Sequence, residues 1–324
     1  MKIGFYVPMF YARGTDTALF NYAIGNKDVL GNETIILYKT EPMNQMGATM
    51  KSKLLEHFKC IRVSSSTEAA QVCRSEGISV FYTLTDGMTP NPLNFNNKRL
   101  WAGIKTVEHL VFGGNNVSAD KCAFVSQDLR QRTKINLPVV PHIVFLPEPS
   151  DIDVRSQLGI KKESIVIGRH GGFETFDIDF VKKTVVEHVK WFPFVHYIFM
   201  NTQRFVNHER IHFIPGTADQ REVSSFIKAC DCMIHARTRG ETFGLSIAEF
   251  SFHNKPVITY GQSPERNHLD LLNNHAIVYN NETELIEILT KLPTTIRKTR
   301  NWKAYKEYTP DKVMKLFEKV FISN

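Results

Sequence analysis

Short apolar runs alternate with helix-length periodic segments along the whole chain. This alternation restricts the fold more than any other feature. "KIGFYV" is followed by a helical pattern over residues 16–26, then "ETIILY", "CIRVS", a helical pattern over 67–75 and "SVFYTL". "KTVEHLVF", "KCAFVS", a helical segment near 127–135 and "HIVFL" complete this first series. Strands alternating with helices specify a mostly parallel sheet with helices on both faces. "PEPSDID" at 147–153, rich in proline and charge, marks a boundary.

The pattern then restarts. "SIVIG" (164–168) reads as a strand, residues 177–190 as a helix, and "VHYIFM" and "IHFI" as strands. Val223, Phe226 and Ile227 fall at i, i+3 and i+4, which makes one apolar helix face. "CMIHA", a helix, "PVITY" and "AIVY" follow, and residues 282–290 and 310–320 are helical. The expectation is an α/β chain of two doubly wound, Rossmann-like domains facing each other across a cleft. The first spans residues 1–150, the second 151–305, and a last helix lies within 306–324.

Composition agrees with two globular domains. The 324 residues are 42% hydrophobic and 23% charged, enough for two real cores. The net charge of +7 is spread over both halves with no basic block, so nucleic acid is not an expected partner. Mild attraction to an anionic ligand, or peripheral contact with an anionic membrane surface, stays open. Cys60, Cys73, Cys122, Cys230 and Cys232 form no metal or redox motif, and read as free thiols of a cytoplasmic protein. "MKIGFYVPMF" reads as a first strand rather than a signal peptide, and no apolar run has the length of a membrane span.

In doubly wound sheets ligands bind beyond the carboxyl ends of the strands, at helix N-termini. The candidates are therefore βα turns. The most informative is "HARTRGETFGLSIAEFSFHNKPVITYG", residues 235–261, with Glu241 and Glu249 on either side of a glycine. On one helix, residues eight apart are offset by roughly 80° and lie about 12 Å apart. They share a purpose if Glu241 stands in the turn and Glu249 two turns into a helix that starts near Phe243 or Gly244. The amides of Phe243, Gly244 and Leu245 then face the space between the acids, where a phosphate binds. Gly244 lets a ligand approach the backbone. An arbitrary pair at this spacing is more often a capping acid and a solvated helix residue. Here the glycine, the small Ser246 and Ala248, the preceding strand and "KPVI" together favour binding.

Arg169 follows the strand 164–168 at another such turn and is a candidate to neutralise a diphosphate. Gly14, Thr15 and Asp16 form the first βα turn, where amides could meet a phosphate and Thr15 or Asp16 could cap the helix. That turn has neither a dinucleotide G-x-G-x-x-G nor a Walker A pattern. Asp86 lies beyond a strand, and Ile214, Pro215 and Gly216 end another, where they could line a ligand pocket or make an ordinary turn.

"RGETFGLSIAEFSFHNKPVIT" resembles the E-x7-E signature of the retaining GT-B glycosyltransferases, in particular the family-4-like (group 1) enzymes. "KCAFVSQDLRQRT", "VVPHIVFLPE" and "IVIGRHGG" resemble that family's segments around its interdomain linker, and "YKEYTPDKVMKLFEKVF" its C-terminal helix that crosses back onto the first domain. The match is good over 120–324 and looser over 1–119. The resemblance implies a nucleotide-diphosphate sugar as donor. Glu249 would accept from the ribose hydroxyls, Glu241 would touch the transferred sugar, and the Phe243–Leu245 amides would hold the departing diphosphate. His109, at the end of "KTVEH", would stand near the sugar, with His170 as its rival, or would be a structural histidine beside apolar residues. No metal is expected, and "DID" at 151–153 falls in the presumed linker. The chain departs from the family after Arg169. Relatives carry a lysine a few residues on, whereas "HGGFETFD" has none, so Gly171 and Gly172 amides, or Arg237 or Arg239, would take its place.

The expected function is transfer of a sugar from a UDP- or GDP-sugar to an acceptor hydroxyl, with retention and without a cofactor. The acceptor, whether glycan, lipid or protein, is not named by the sequence. A glycoside hydrolase using Glu241 and Glu249 fits less well, because both acids flank one helix start. A sugar-nucleotide epimerase on the same fold, or a non-catalytic nucleotide-sugar or glycan-binding protein, is the alternative.

Overall fold

The computed structural model describes residues 1–10, 14–297 and 300–323. The chain forms two compact units, one of Met1–Ile143 with Glu307–Asn324, the other of Val144–Lys306. The first unit runs β1 (Lys2–Val7), α1 (Gly14–Asp28), β2 (Glu33–Tyr38), α2 (Gln45–His57), β3 (Lys59–Arg62), α3 (Ser66–Ser75), β4 (Val80–Thr85), β5 (Lys105–Leu110), β6 (Lys121–Phe124) and α4 (Gln127–Thr133). Its sheet has the order β3-β2-β1-β4-β5-β6, and every pairing is parallel.

The second unit runs α5 (Val154–Gln157), β7 (Ile165–Arg169), α6 (Asp179–Trp191), β8 (Val195–Met200), β9 (Ile211–Ile214), α7 (Gln220–Ala229), β10 (Cys232–His235), β11 (Gly240–Glu241) and α8 (Leu245–Phe252). It continues with β12 (Val257–Tyr260), β13 (Glu265–Arg266), α9 (Asn267–Leu272), β14 (Ala276–Tyr279) and α10 (Glu282–Arg297). Its parallel sheet has the order β14-β12-β10-β7-β8-β9. Each sheet starts in the middle, builds outward to one edge and then to the other. The strand order reverses beside β1 in one unit and between β7 and β10 in the other, and such switch points are where doubly wound sheets leave a crevice.

The strands are apolar throughout because helices cover both faces of each sheet. All of Ile165–Arg169 and Cys232–His235 is buried. In the second unit α6 and α10 cover one face, adding Val181, Val185, Val189, Leu285 and Leu289 to the core. In the first unit the final helix α11 (Pro310–Phe317), continued by a π turn over Glu318–Ile322, packs on α1. A Cβ at Gly25 would sit 2.6 Å from Met314 Cγ, so α1 and α11 approach at a position that only glycine leaves open. Phe317 stacks on Tyr22 at 5.4 Å between ring centres, and Phe321 stands 5.8 Å from Tyr82.

The α/β expectation holds for both units. Three local expectations change. The segment 147–153 is no free linker, since Ser224 Oγ donates to the Pro147 carbonyl (2.7 Å) and Ser150 pairs with Ser225 (2.8 Å), which lays the segment along α7. "HIVFL" joins neither sheet, although Ile143 and Val144 are buried. Helix α2 has no counterpart in the sequence reading. Asn44 caps it by accepting from Gly47 N (2.8 Å), and its buried stripe is only Gly47, Met50 and Leu54. Among the described residues, no helix is long and apolar enough to cross a membrane, and no group of three or more His, Cys, Asp or Glu could hold a metal ion.

Candidate active site

The switch point of the second unit gathers the chemistry. Strand β10 ends at His235, and the chain then makes a loop, the short strand β11, and a turn into α8. Two glycines make this path possible. Gly240 has φ +81°, and a Cβ there would lie 2.1 Å from the Glu265 carbonyl oxygen across the β11–β13 pair. Gly244 is the N-cap of α8 with φ 84° and ψ 61°, a left-handed conformation that costs glycine little. No side chain caps the helix. Its first-turn amides, with the positive end of the helix dipole behind them, are an arrangement able to hold an anion. The helix starts one or two residues later than the expected start at Phe243 or Gly244. Leu245 opens it, while the Phe243 side chain is buried edge-on against Tyr305 at 5.8 Å and its carbonyl accepts from the Tyr305 hydroxyl (3.2 Å).

Glu241 stands in the turn and Glu249 on the second turn of α8, as the spacing suggests. They have different surroundings. One Glu241 oxygen meets Arg237 Nη1 at 2.9 Å and the other His235 Nε2 at 3.3 Å. Burial alone would raise this carboxyl, but the His235 hydrogen bond and the Arg237 charge outweigh it and hold it at about 2. Glu249 is buried, and His170 Nε2 lies 3.0 Å from its carboxylate, out of line for a hydrogen bond. The His170 ring stacks on Phe250 at 5.8 Å, which fixes it against the same helix.

Arg169 requires a correction. Its guanidinium is not offered to a ligand but is 3% exposed inside the unit. It donates to the Asn201 carbonyl, Thr202 Oγ1, the Gly172 carbonyl (2.8 Å) and Thr175 Oγ1 (2.6 Å). Burial lowers its pKa to about 10. Arg169 therefore holds the loop after β7 from within. Asn201 Nδ2 donates to the Gly171 carbonyl (2.7 Å) from the same side. In trans peptides the N–H points opposite to the C=O, so the amides of Gly172 and Phe173 turn away from these anchors. A Cβ on Gly171 would lie 3.8 Å from Ser246 Oγ, so this loop sits against the first turn of α8. The cation beside Glu241 is Arg237, whereas Arg239 is engaged with Glu265 at 2.8 Å.

His109 is also corrected. It is fully buried in β5 of the other unit, with Nδ1 2.8 Å from the Tyr82 hydroxyl and Nε2 2.7 Å from the Val140 carbonyl. Burial pulls its pKa to about 3, so the ring is neutral, donates from Nε2 and accepts at Nδ1. It is a core histidine under the Phe321 ring, 5.2 Å away. Gly14 and Thr15 open α1 in that unit, next to residues outside the described set. Asp86 closes its own turn by accepting from Met88 N and Thr89 N, both at 2.9 Å. Pro215 is exposed after β9, two strands from β7 and so about 10 Å along the sheet.

His235, Thr259 and His268 were not singled out from the sequence. His235 Nδ1 is 2.9 Å from Thr259 Oγ1 on β12. The His268 ring, on α9, packs 5.0 Å from His235, and burial lowers its pKa to about 3. A polar residue closing an apolar strand at the switch point was the available signal for His235.

No protein-family model matches this sequence, and no curated protein does. Solved structures do match in fold. A glycosyltransferase from Rickettsia africae ESF-5 superposes with a TM-score of 0.72 at 14% identity, covering 100% of this chain and 99% of the other. Anabaena HepE in complex with UDP and glucose gives 0.65 at 16% identity, over 99% and 95%. A putative UDP-N-acetylglucosamine 2-epimerase from Listeria monocytogenes gives 0.64 at 11%, over 98% and 94%. These likenesses show a common fold, the GT-B architecture of two Rossmann-like units.

Proposed function

We propose that this protein is a glycosyltransferase that moves a sugar from a nucleotide-diphosphate sugar, UDP- or GDP-linked, to an acceptor hydroxyl. The observation that carries the reading is an ionised carboxylate, Glu241, beside an uncapped helix N-terminus at a topological switch point. The fold shared with a glycosyltransferase and with HepE bound to UDP and glucose supports it. In this reading the α8 amides take the diphosphate, with Arg237 as the nearby cation and the Gly172 and Phe173 amides on the loop opposite. Glu249 accepts from the ribose, and Glu241 accepts from hydroxyls of the transferred sugar. A carboxyl held at about 2 stays an anion and is suited to accept hydrogen bonds, not to donate a proton.

The reaction, with retention and without a metal, runs on one face of the sugar. The bond from the anomeric carbon to the phosphate oxygen breaks as the acceptor oxygen bonds to that carbon, and the acceptor proton passes to the departing phosphate. Charge grows on the diphosphate as it leaves, where preorganised amides stabilise it most. Thermal-shift screening of UDP-, GDP- and ADP-sugars, followed by NMR of the product's anomeric proton, tests this. A binding donor that is never transferred to any of a panel of glycan, lipid and peptide acceptors would count against it.

An epimerase is the second reading, supported by the Listeria structure. Epimerisation at carbon breaks and remakes a C–H bond, which needs a group that changes protonation near neutrality. Glu241 at about 2 and His268 at about 3 are far from that range. Incubating each sugar nucleotide alone and looking for a new stereoisomer separates the two.

A further inference from the structure

We propose that His235 is a positioning residue that aims the Glu241 carboxylate, through a hydrogen-bonded chain running from Thr259 to His235 to Glu241. The proposal rests on the reading of Glu241 as the group that meets the transferred sugar. Strand register sets the chain up. His235 on β10 pairs directly with Thr259 on β12, so both side chains leave the same face of the sheet. Tyr279, on β14, donates its hydroxyl to the His235 carbonyl (2.9 Å) and fixes the strand end from the next position across. His235 and Thr259 are buried, at 4% and 0% exposure.

The proton count assigns the roles. Glu241 as an anion only accepts, so the imidazole must carry its hydrogen on Nε2, 3.3 Å from the carboxylate. In the neutral imidazole Nδ1 is then an acceptor, and the Thr259 hydroxyl, 2.9 Å away, donates to it. The set has the members of a hydrolytic triad in the reverse setting. The hydroxyl end is sealed in the core and the carboxylate end is partly open, so no nucleophile is exposed. What the chain can do is orient the acid. Arg237 Nη1 holds the second carboxylate oxygen at 2.9 Å, so each oxygen has one internal partner and keeps a further lone pair. A free glutamate would lose rotamer entropy on meeting a ligand, and this one is already fixed.

The charged and titratable groups around the pair are Arg237 on its own loop, Arg169 from β7, His268 from α9 and Arg266 beside it. The Arg237 contact does not depend on His235. Removing the imidazole should therefore misaim the carboxylate without releasing it.

Asparagine and glutamine divide the imidazole's two ends. H235N can keep the contact with Thr259 but cannot reach Glu241, while H235Q extends an amide N–H toward Glu241. Both variants keep a polar group in the site, and thermal melts check that they fold. The first readout needs no ligand: the Glu241 carboxyl carbon, followed by NMR in glutamate-labelled protein and assigned by its loss in E241Q. In H235N it should titrate at higher pH than in H235Q, because a hydrogen bond that lowers its pKa is gone. The second readout is UDP release from UDP-glucose. H235N should lose on the order of tenfold to a hundredfold in kcat, the effect expected of a misplaced group, with UDP affinity within about twofold of native. H235Q should stay within about threefold of the native rate. Equal titration and equal rates in H235N and H235Q would overturn the proposal. Native turnover in E241A would instead overturn the donor-site reading on which it rests.

Discussion

The two sheets have one topology and two different carboxyl edges. In the first unit two buried polar side chains near the edge are closed within the unit. His109 is shared between Tyr82 and Val140, and Glu108, 0% exposed, accepts from Asn91 Nδ2 at 2.7 Å and from Ser118 N at 2.9 Å. In the second unit the polar groups at the switch point are closed from behind and left open in front. Thr259 and His235 stand behind Glu241, Arg169 stands behind Gly172, and α8 begins without a side-chain cap. Burial with complete pairing makes structure. Burial of all but the last member of a chain makes a preorganised site.

That contrast can be broken most directly at Glu241. E241A should lower transfer by about a thousandfold, the scale of losing a group that stabilises the transition state, while UDP binding stays largely intact. Unchanged transfer would erase the difference between the two edges. Acid should separate folded from unfolded chain through the closed edge. His109 and His142 are held at about 3, so between pH 6.5 and 3 the unfolded chain binds protons that these rings refuse. Stability then falls as pH falls, by up to about 1.4 kcal/mol per pH unit for each ring. Urea titrations between pH 7 and 4.5 measure this slope, and H109L should reduce it by the share of one ring.

The same H109L substitution sharpens the contrast at neutral pH. It strands the Tyr82 hydroxyl and the Val140 carbonyl and should cost about 1–3 kcal/mol, with kcat per folded molecule unchanged. A fall in kcat at full folding would return His109 to the site. The smallest effect expected is at Glu249. E249A should weaken UDP binding by about tenfold, the scale of one charged hydrogen bond, in calorimetry. An unchanged affinity would remove the ribose contact and leave α8 with a single functional acid.

Much of the fold was legible because parallel strands covered on both faces are written as apolar runs, as in "SIVIG" and "CMIH". Helix α2 was not, because three small or flexible apolar positions in a polar segment make a weak stripe. "HIVFL" has strand composition, but its residues pack without joining a sheet, and composition cannot tell the two apart. At the site, the placement of Glu241, Gly244 and Glu249 followed from local geometry, since helix pitch and the conformational freedom of glycine act over a few residues. The functions proposed for Arg169 and His109 depended on which way a long side chain faces. Strand ends look alike in sequence whether a side chain turns toward solvent or back into the unit.

The sequence alone therefore determined the alternation of strands and helices, the two parallel sheets, and the glycine-marked turn with an acid on each side. These are consequences of periodicity and of short-range backbone sterics. Tertiary structure decided which charges are open. It buried Arg169 behind its own loop, closed His109 inside a core, and set His235 opposite Thr259 through a register between strands more than 20 residues apart. Hydrogen-bond partners so distant in the chain exist only once the sheet has formed, and they determine whether a polar residue supports the fold or faces a ligand.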